Sequence, residues 1–78
     1  MEDQIREFVY EQIRRFRHDV GHHLHVKGIW LTSAQEPPHI QNNWPRMLDQ
    51  LADEGMLEKA GEDFVLTEKG YNEIYGLT

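Results

Sequence analysis

Asn42, Asn43, Arg46 and Gln50 occupy one short stretch of the chain. These are side-chain types that read base edges. An arginine guanidinium pairs bidentately with guanine, and a carboxamide pairs the same way with adenine. Lys59 follows as a further cation for phosphate or a minor groove. Asp49 and Asp53 share the stretch and oppose that use, because a carboxylate facing phosphate is repelled. Without nucleic acid, Asn42 and Asn43 are simply helix caps and the rest is a solvated face. His18, His22, His23 and His25 raise imidazole ligation of a metal. Gly21 breaks the His18/His22 spacing, and the chain has no cysteine. A thiolate metal site, a disulfide and a cysteine nucleophile are excluded, and neither metal nor cofactor is expected. Carboxylates and histidines form no catalytic motif, so no enzyme is expected. The cations Arg14, Arg15, Arg17 and Lys27 gather among the histidines. They suit phosphate or an acidic partner, or they match the end of a helix dipole.

Composition bounds these options. A chain of 78 residues with 38% hydrophobic and 28% charged residues has enough apolar surface to fold, as one domain over 1–78. No apolar run approaches the ~20 residues that cross a bilayer, and Met1-Glu2-Asp3-Gln4 is no secretory signal. A cytoplasmic location without membrane is the expectation. Residues 1–31 hold five cations and five carboxylates, whereas residues 32–78 hold three cations and nine carboxylates. The net charge of −6 therefore sits in the second part. Such a surface repels phosphate, since DNA affinity depends on cations that displace counterions.

The elements that must position these residues follow from periodicity. Ile5, Phe8, Val9, Ile13 and Phe16 predict an amphipathic helix over about 3–18, stopped at Gly21. Ile29-Trp30-Leu31 reads as a short strand after Gly28. Thr32 and Gln35 have capping-box spacing, but Pro37-Pro38 leaves room for only about one turn of helix. Trp44, Met47, Leu48, Leu51 and Ala52 make a clear helical face over about 44–54, with Pro45 in its first turn and Gly55 at its end. Two extended pieces, within 56–60 and 64–66, flank Gly61-Glu62-Asp63 as a hairpin. Thr67 caps a last short helix holding Tyr71, Ile74 and Tyr75, weakened by its own Gly70 and stopped at Gly76. The fold class is α+β: three helices and a two- or three-stranded antiparallel sheet.

The segments Arg46–Glu58 and Phe64–Tyr71, the latter reading Leu66-Thr67-Glu68-Lys69-Gly70, resemble the recognition helix, wing and C-terminal helix entry of winged helix-turn-helix proteins. The resemblance covers residues 42–75. It implies a double-stranded DNA partner read through Asn42, Asn43, Arg46 and Gln50, with Lys59 on the wing. It also implies a transcriptional regulator working as a homodimer, joined through the first helix and the Tyr71/Ile74/Tyr75 helix. Leu48, Leu51, Leu57 and Leu66 are expected to close a core over Ile5, Phe8 and Phe16. The other reading is a winged-helix interaction module without a DNA role, its acidic half binding a basic protein partner and Trp44 or the Tyr71/Tyr75 pair anchoring the contact.

Overall fold

The computed structural model describes residues 2–76. Helix α1 (Glu2–Arg15) leads into strand β1 (His23–Leu24), helix α2 (Val26–Thr32) and a 3₁₀ turn (Ser33–Gln35). Helices α3 (Pro38–Gln41) and α4 (Trp44–Asp53), strands β2 (Leu57–Ala60) and β3 (Asp63–Leu66), and helix α5 (Glu68–Tyr75) follow. The architecture is α+β, with an antiparallel three-stranded sheet ordered β1-β3-β2. Leu57 stands opposite Leu66 and Ala60 opposite Asp63, while His23 and Leu24 pair with Val65 and Phe64. Gly61 alone is left-handed in the two-residue β2–β3 turn (φ 65°), the pattern of a type II′ hairpin.

The core fills the space between α1, α4 and the sheet. Val9, Ile13, Trp44, Leu48, Leu51 and Leu66 are its most deeply buried members. Ile5 and Phe8 join them, but Phe16 does not. The reason lies at the end of α1, which stops at Arg15 rather than near His18. Arg17 adopts a left-handed φ of 52°. Its N–H donates to Arg14 O (3.0 Å) and the N–H of His18 to Ile13 O (3.1 Å), which is a Schellman closure. Gly21 is left-handed but lies beyond the helix. Phe16 thus falls out of the helical period and is 55% exposed.

The span expected to be a strand at Ile29–Leu31 is helical instead, and among the described residues the strand before it is His23–Leu24. Ile29 turns inward and Trp30 and Leu31 turn out, as consecutive helical positions must. Thr32 ends α2 and makes no cap for the next turn. Its hydroxyl lies 2.9 Å from Oε1 of the buried Gln12 and 3.0 Å from Ile29 O. Pro38 opens α3, where a missing N–H costs nothing. The described residues therefore contain five α-helices rather than three. Helix α2 takes the place of the expected strand, the 3₁₀ turn Ser33–Gln35 is the single turn expected before Pro37-Pro38, and α3 is an addition.

The closing elements match expectation more closely. The N–H of Gly55 donates to Ala52 O and that of Met56 to Leu51 O, giving α4 the same Schellman end as α1. The Thr67 hydroxyl accepts from the N–H of Gly70 at 3.0 Å and caps α5. Gly70 is not a weakness. A Cβ there would run into the backbone of Met56, with the carbonyl carbon at 2.9 Å, and into a Leu66 methyl at 3.0 Å. Among the described residues, no helix is long and apolar enough to cross a membrane.

Candidate nucleic-acid interface

Helix α4 is held by Trp44, Met47, Leu48 and Leu51, all buried, and presents Arg46, Asp49 and Asp53 to solvent. The Trp44 indole is 1% exposed, so it is a core residue and no partner's anchor. Arg46 is exposed and makes no ion pair among the described residues. It shares a shallow groove with Glu2, Ile5, Asn43 and Gln50, on the side of α4 that meets α1.

The carboxamides expected to read bases are engaged within the chain. Gln50 Nε2 donates to Glu2 Oε1 (2.7 Å) and to Glu54 Oε2 (3.1 Å). Asn43 occupies the N-cap position of α4 without capping it, because its Nδ2 donates back to His39 O at 2.6 Å. Asn42 is exposed, and it borders a recess with Trp30, Ser33, Ala34 and Gln41, toward α2. Behind Gln50, Arg6 forms a bidentate pair with Glu54 at 2.9 and 2.8 Å. That guanidinium, with the Gln50 amide, holds the Glu54 carboxyl down at about 2, and Glu54 raises Arg6 in turn.

Lys59 lies on the other flank of α4. Its Nζ stands 3.7 Å from Asp49 Oδ1, in a groove formed with Val26, Pro45, Gly61 and Glu62. The structure brings Arg46, Asn43 and Gln50 to one groove and places Asn42 and Lys59 elsewhere. Asp49 lies between the two cations. Arg46 and Lys59 are balanced by Asp49 and Asp53, and Glu62 adds a carboxylate at the hairpin tip. A surface of this balance draws little on counterion release.

The histidines stand as two neighbouring pairs, His18 with His22 (ring centroids 6.3 Å) and His23 with His25 (6.2 Å). His22 Nδ1 accepts from the N–H of Asp19 (3.0 Å), and His25 Nδ1 lies 3.2 Å from Asp63 Oδ2. The N–H of Val26 and this imidazole hold the Asp63 carboxyl below the usual range. Burial, then the nearby His22 and His25, push the His18 imidazole down. Among the described residues, no three His, Asp or Glu side chains converge as a metal site.

The pair expected to carry a dimer or partner is also committed inside the chain. The Tyr75 hydroxyl donates to His18 O at 2.9 Å, with Ile13 O at 3.2 Å, and the ring lies 4.6 Å from that of Tyr71. Burial raises the Tyr75 phenol.

Sequence reasoning missed the other side of the molecule. Trp30 is 67% exposed and Leu31 63%, and Phe16 and Val20 are exposed as well. The usable signal was the helical alternative for residues 26–32, because three consecutive apolar residues cannot all face inward on a helix. Beside them, Phe16, His18, Leu24, His25, Gly28 and Ile29 line an apolar recess of about 140 Å³. Comparison of the chain with protein-family models, with curated proteins and with solved structures finds no match to any of them.

Proposed function

We propose that this chain is a winged helix-turn-helix domain that works as a protein-interaction module rather than as a reader of DNA. The winged-helix reading is supported by the order α1-β1-α2-α3-α4-β2-β3 with the sheet arranged β1-β3-β2. In it, α2 is the first helix of the motif, α3 and α4 together are the recognition segment, and the β2–β3 hairpin is the wing. Fold does not decide function, which has to come from the site. The observation that carries the reading is Asp49. It projects from the middle of the recognition segment, exposed, with its Oδ1 3.7 Å from the wing cation Lys59. A carboxylate in that position repels phosphate. Large apolar side chains stand in solvent instead at Phe16, Val20, Trp30 and Leu31.

One observation favours the DNA reading: Arg46 is an outward, unpaired cation among the described residues. A duplex titration at several salt concentrations separates the two, using wild type, Arg46→Ala and Asp49→Asn. The interaction module gives weak isotherms that are the same for all three proteins. A DNA reader loses ~1–3 kcal/mol at one base pair on Arg46→Ala, or about one unit of salt slope if Arg46 holds phosphate. It also binds more tightly on Asp49→Asn. Either change overturns the proposal.

A further inference from the structure

One recess brings together two features that the fold does not account for, a helical glycine and a pair of imidazoles. Gly28 lies in α2, where glycine weakens a helix relative to alanine. At Gly70 the close approach of the Met56 backbone requires a glycine, whereas a Cβ on Gly28 would meet nothing within 4 Å. Gly28 lines the recess of about 140 Å³ together with Phe16, His18, Leu24, His25 and Ile29. That volume is close to the one at which an apolar cavity holds a benzene-sized ring. The wall is itself partly aromatic, with the Phe16 and His18 rings 6.3 Å apart and tilted at 59°. Tilted rings at this spacing pack well on a further ring, edge to face or offset.

The polar groups of the wall are imidazoles, and the state of one is set by its partner. Asp63 Oδ1 accepts from the N–H of Val26 at 3.2 Å, and its Oδ2 lies 3.2 Å from His25 Nδ1. These bonds hold the Asp63 carboxyl in its charged form, so Nδ1 of His25 carries the proton and donates it. In the uncharged ring Nε2 is then an acceptor, and it has no partner among the described residues. Burial, then His22 and His25, hold His18 toward its uncharged form, so the second imidazole adds no charge at neutral pH.

We infer that this recess is a binding site for a small phenol. The ring lies against Phe16, Leu24 and Ile29, in the space left open at Gly28, and its hydroxyl donates to Nε2 of His25. Apolar walls with a few placed polar groups are the usual make-up of a small-molecule site. The chemistry of the wall separates this occupant from others of its size. A saturated ring forgoes the packing of ring on ring. An aromatic carboxylate brings a second negative charge toward Asp63 and has no proton to give to Nε2. The inference goes beyond the interaction-module reading and does not depend on it, since neither Arg46 nor Asp49 lines the recess.

The test titrates the isotope-labelled full chain at mildly alkaline pH with phenol, toluene, cyclohexanol and benzoate, one at a time, and reads the amide shifts. Phenol should give saturable shifts centred on residues 16–29 and bind about 5-fold more tightly than toluene, the effect of one neutral hydrogen bond. Cyclohexanol and benzoate should both bind more weakly than phenol. Gly28→Leu, which fills the recess and suits a helix, should abolish the phenol shifts. His25→Phe keeps a ring in the wall but removes the acceptor. Its phenol affinity should fall to that of toluene, with toluene itself unaffected. Circular dichroism and the thermal midpoint check that both variants stay folded, and His25→Phe decides the matter if Gly28→Leu does not fold. The assignment is overturned by the absence of saturable shifts at millimolar phenol, or by undiminished phenol binding in folded Gly28→Leu. Toluene, cyclohexanol or benzoate binding as tightly as phenol overturns it too, as does a preference for phenol that survives in His25→Phe. Shifts centred on residues 41–50 rather than 16–29 would place the ligand elsewhere and equally refute it.

Discussion

Arg17 and Gly55 close two helices with the same hydrogen bonds, but only one of them is a glycine. A side chain in the left-handed region costs roughly 1–2 kcal/mol, partly offset by the lower chain entropy of a non-glycine residue. Arg17→Gly should therefore raise stability by about 0.5–1 kcal/mol and the thermal midpoint by a few degrees. A lowered midpoint would mean that the guanidinium supplies more than the strain removes. Gly70 gives the opposite forecast. Helix propensity alone favours alanine by ~1 kcal/mol, but the Met56 backbone occupies the place of the methyl. Gly70→Ala should cost ~1–3 kcal/mol in urea melts, as overpacking does. A gain in stability would show that α5 can lift off the Met56 turn at little cost. The sequence announces Gly70 as a helix weakener, because the neighbour that requires it lies fourteen residues earlier in the chain, at Met56.

At the scale of elements, legibility follows how much of an element's reason is local. Helix α4 carries its apolar face and first-turn proline within its own residues and its terminal glycine just past the cap, and the structure keeps all three. The hairpin and the Thr67 cap are equally self-contained. Helix α2 is not. Gly28 and the Ile29-Trp30-Leu31 run argue locally for a strand, and a helix appears because Ile29 packs inward while Thr32 bonds Gln12 of α1. The candidate site was legible only in its residue types. Which partner each carboxamide or lysine takes depends on α1 and the hairpin, and no spacing within residues 42–50 encodes that. Leu51 tests the α4 face, since it is fully buried. Leu51→Ala should cost ~2–5 kcal/mol and leave most of the chain unfolded. A midpoint within a few degrees of wild type would contradict this packing. The Arg6–Glu54 pair tests the α1–α4 joint. Because the folded Glu54 carboxyl lies at about 2, below its ordinary 4.5, the pair contributes above pH 4.5 and is lost as pH falls toward 2. The pair is partly exposed, so Glu54→Gln should cost only about 1 kcal/mol at pH 7, and nothing once pH approaches 2. A difference that persists in acid would assign the effect to something other than this ion pair.

Across the whole molecule, charge and apolar exposure are segregated. The acidic excess belongs to residues 32–78, while five of the eight lysines and arginines and the exposed apolar side chains Phe16, Val20, Trp30 and Leu31 belong to residues 1–31. The same segregation has a counterpart in how the chain closes on itself. Helix α1 packs against α4 through Arg6 and Glu54 and against α5, where Arg14 Nε donates to Ile74 O at 3.1 Å. The first element of the described chain therefore finds its partners among the last ones. During synthesis, α1 emerges from the ribosome with its Ile5, Phe8, Val9 and Ile13 stripe uncovered. It stays uncovered until α4 and then α5 have been made, because contacts between distant residues cannot form before the intervening loop exists. Until then the nascent chain offers an amphipathic helix to any chaperone nearby.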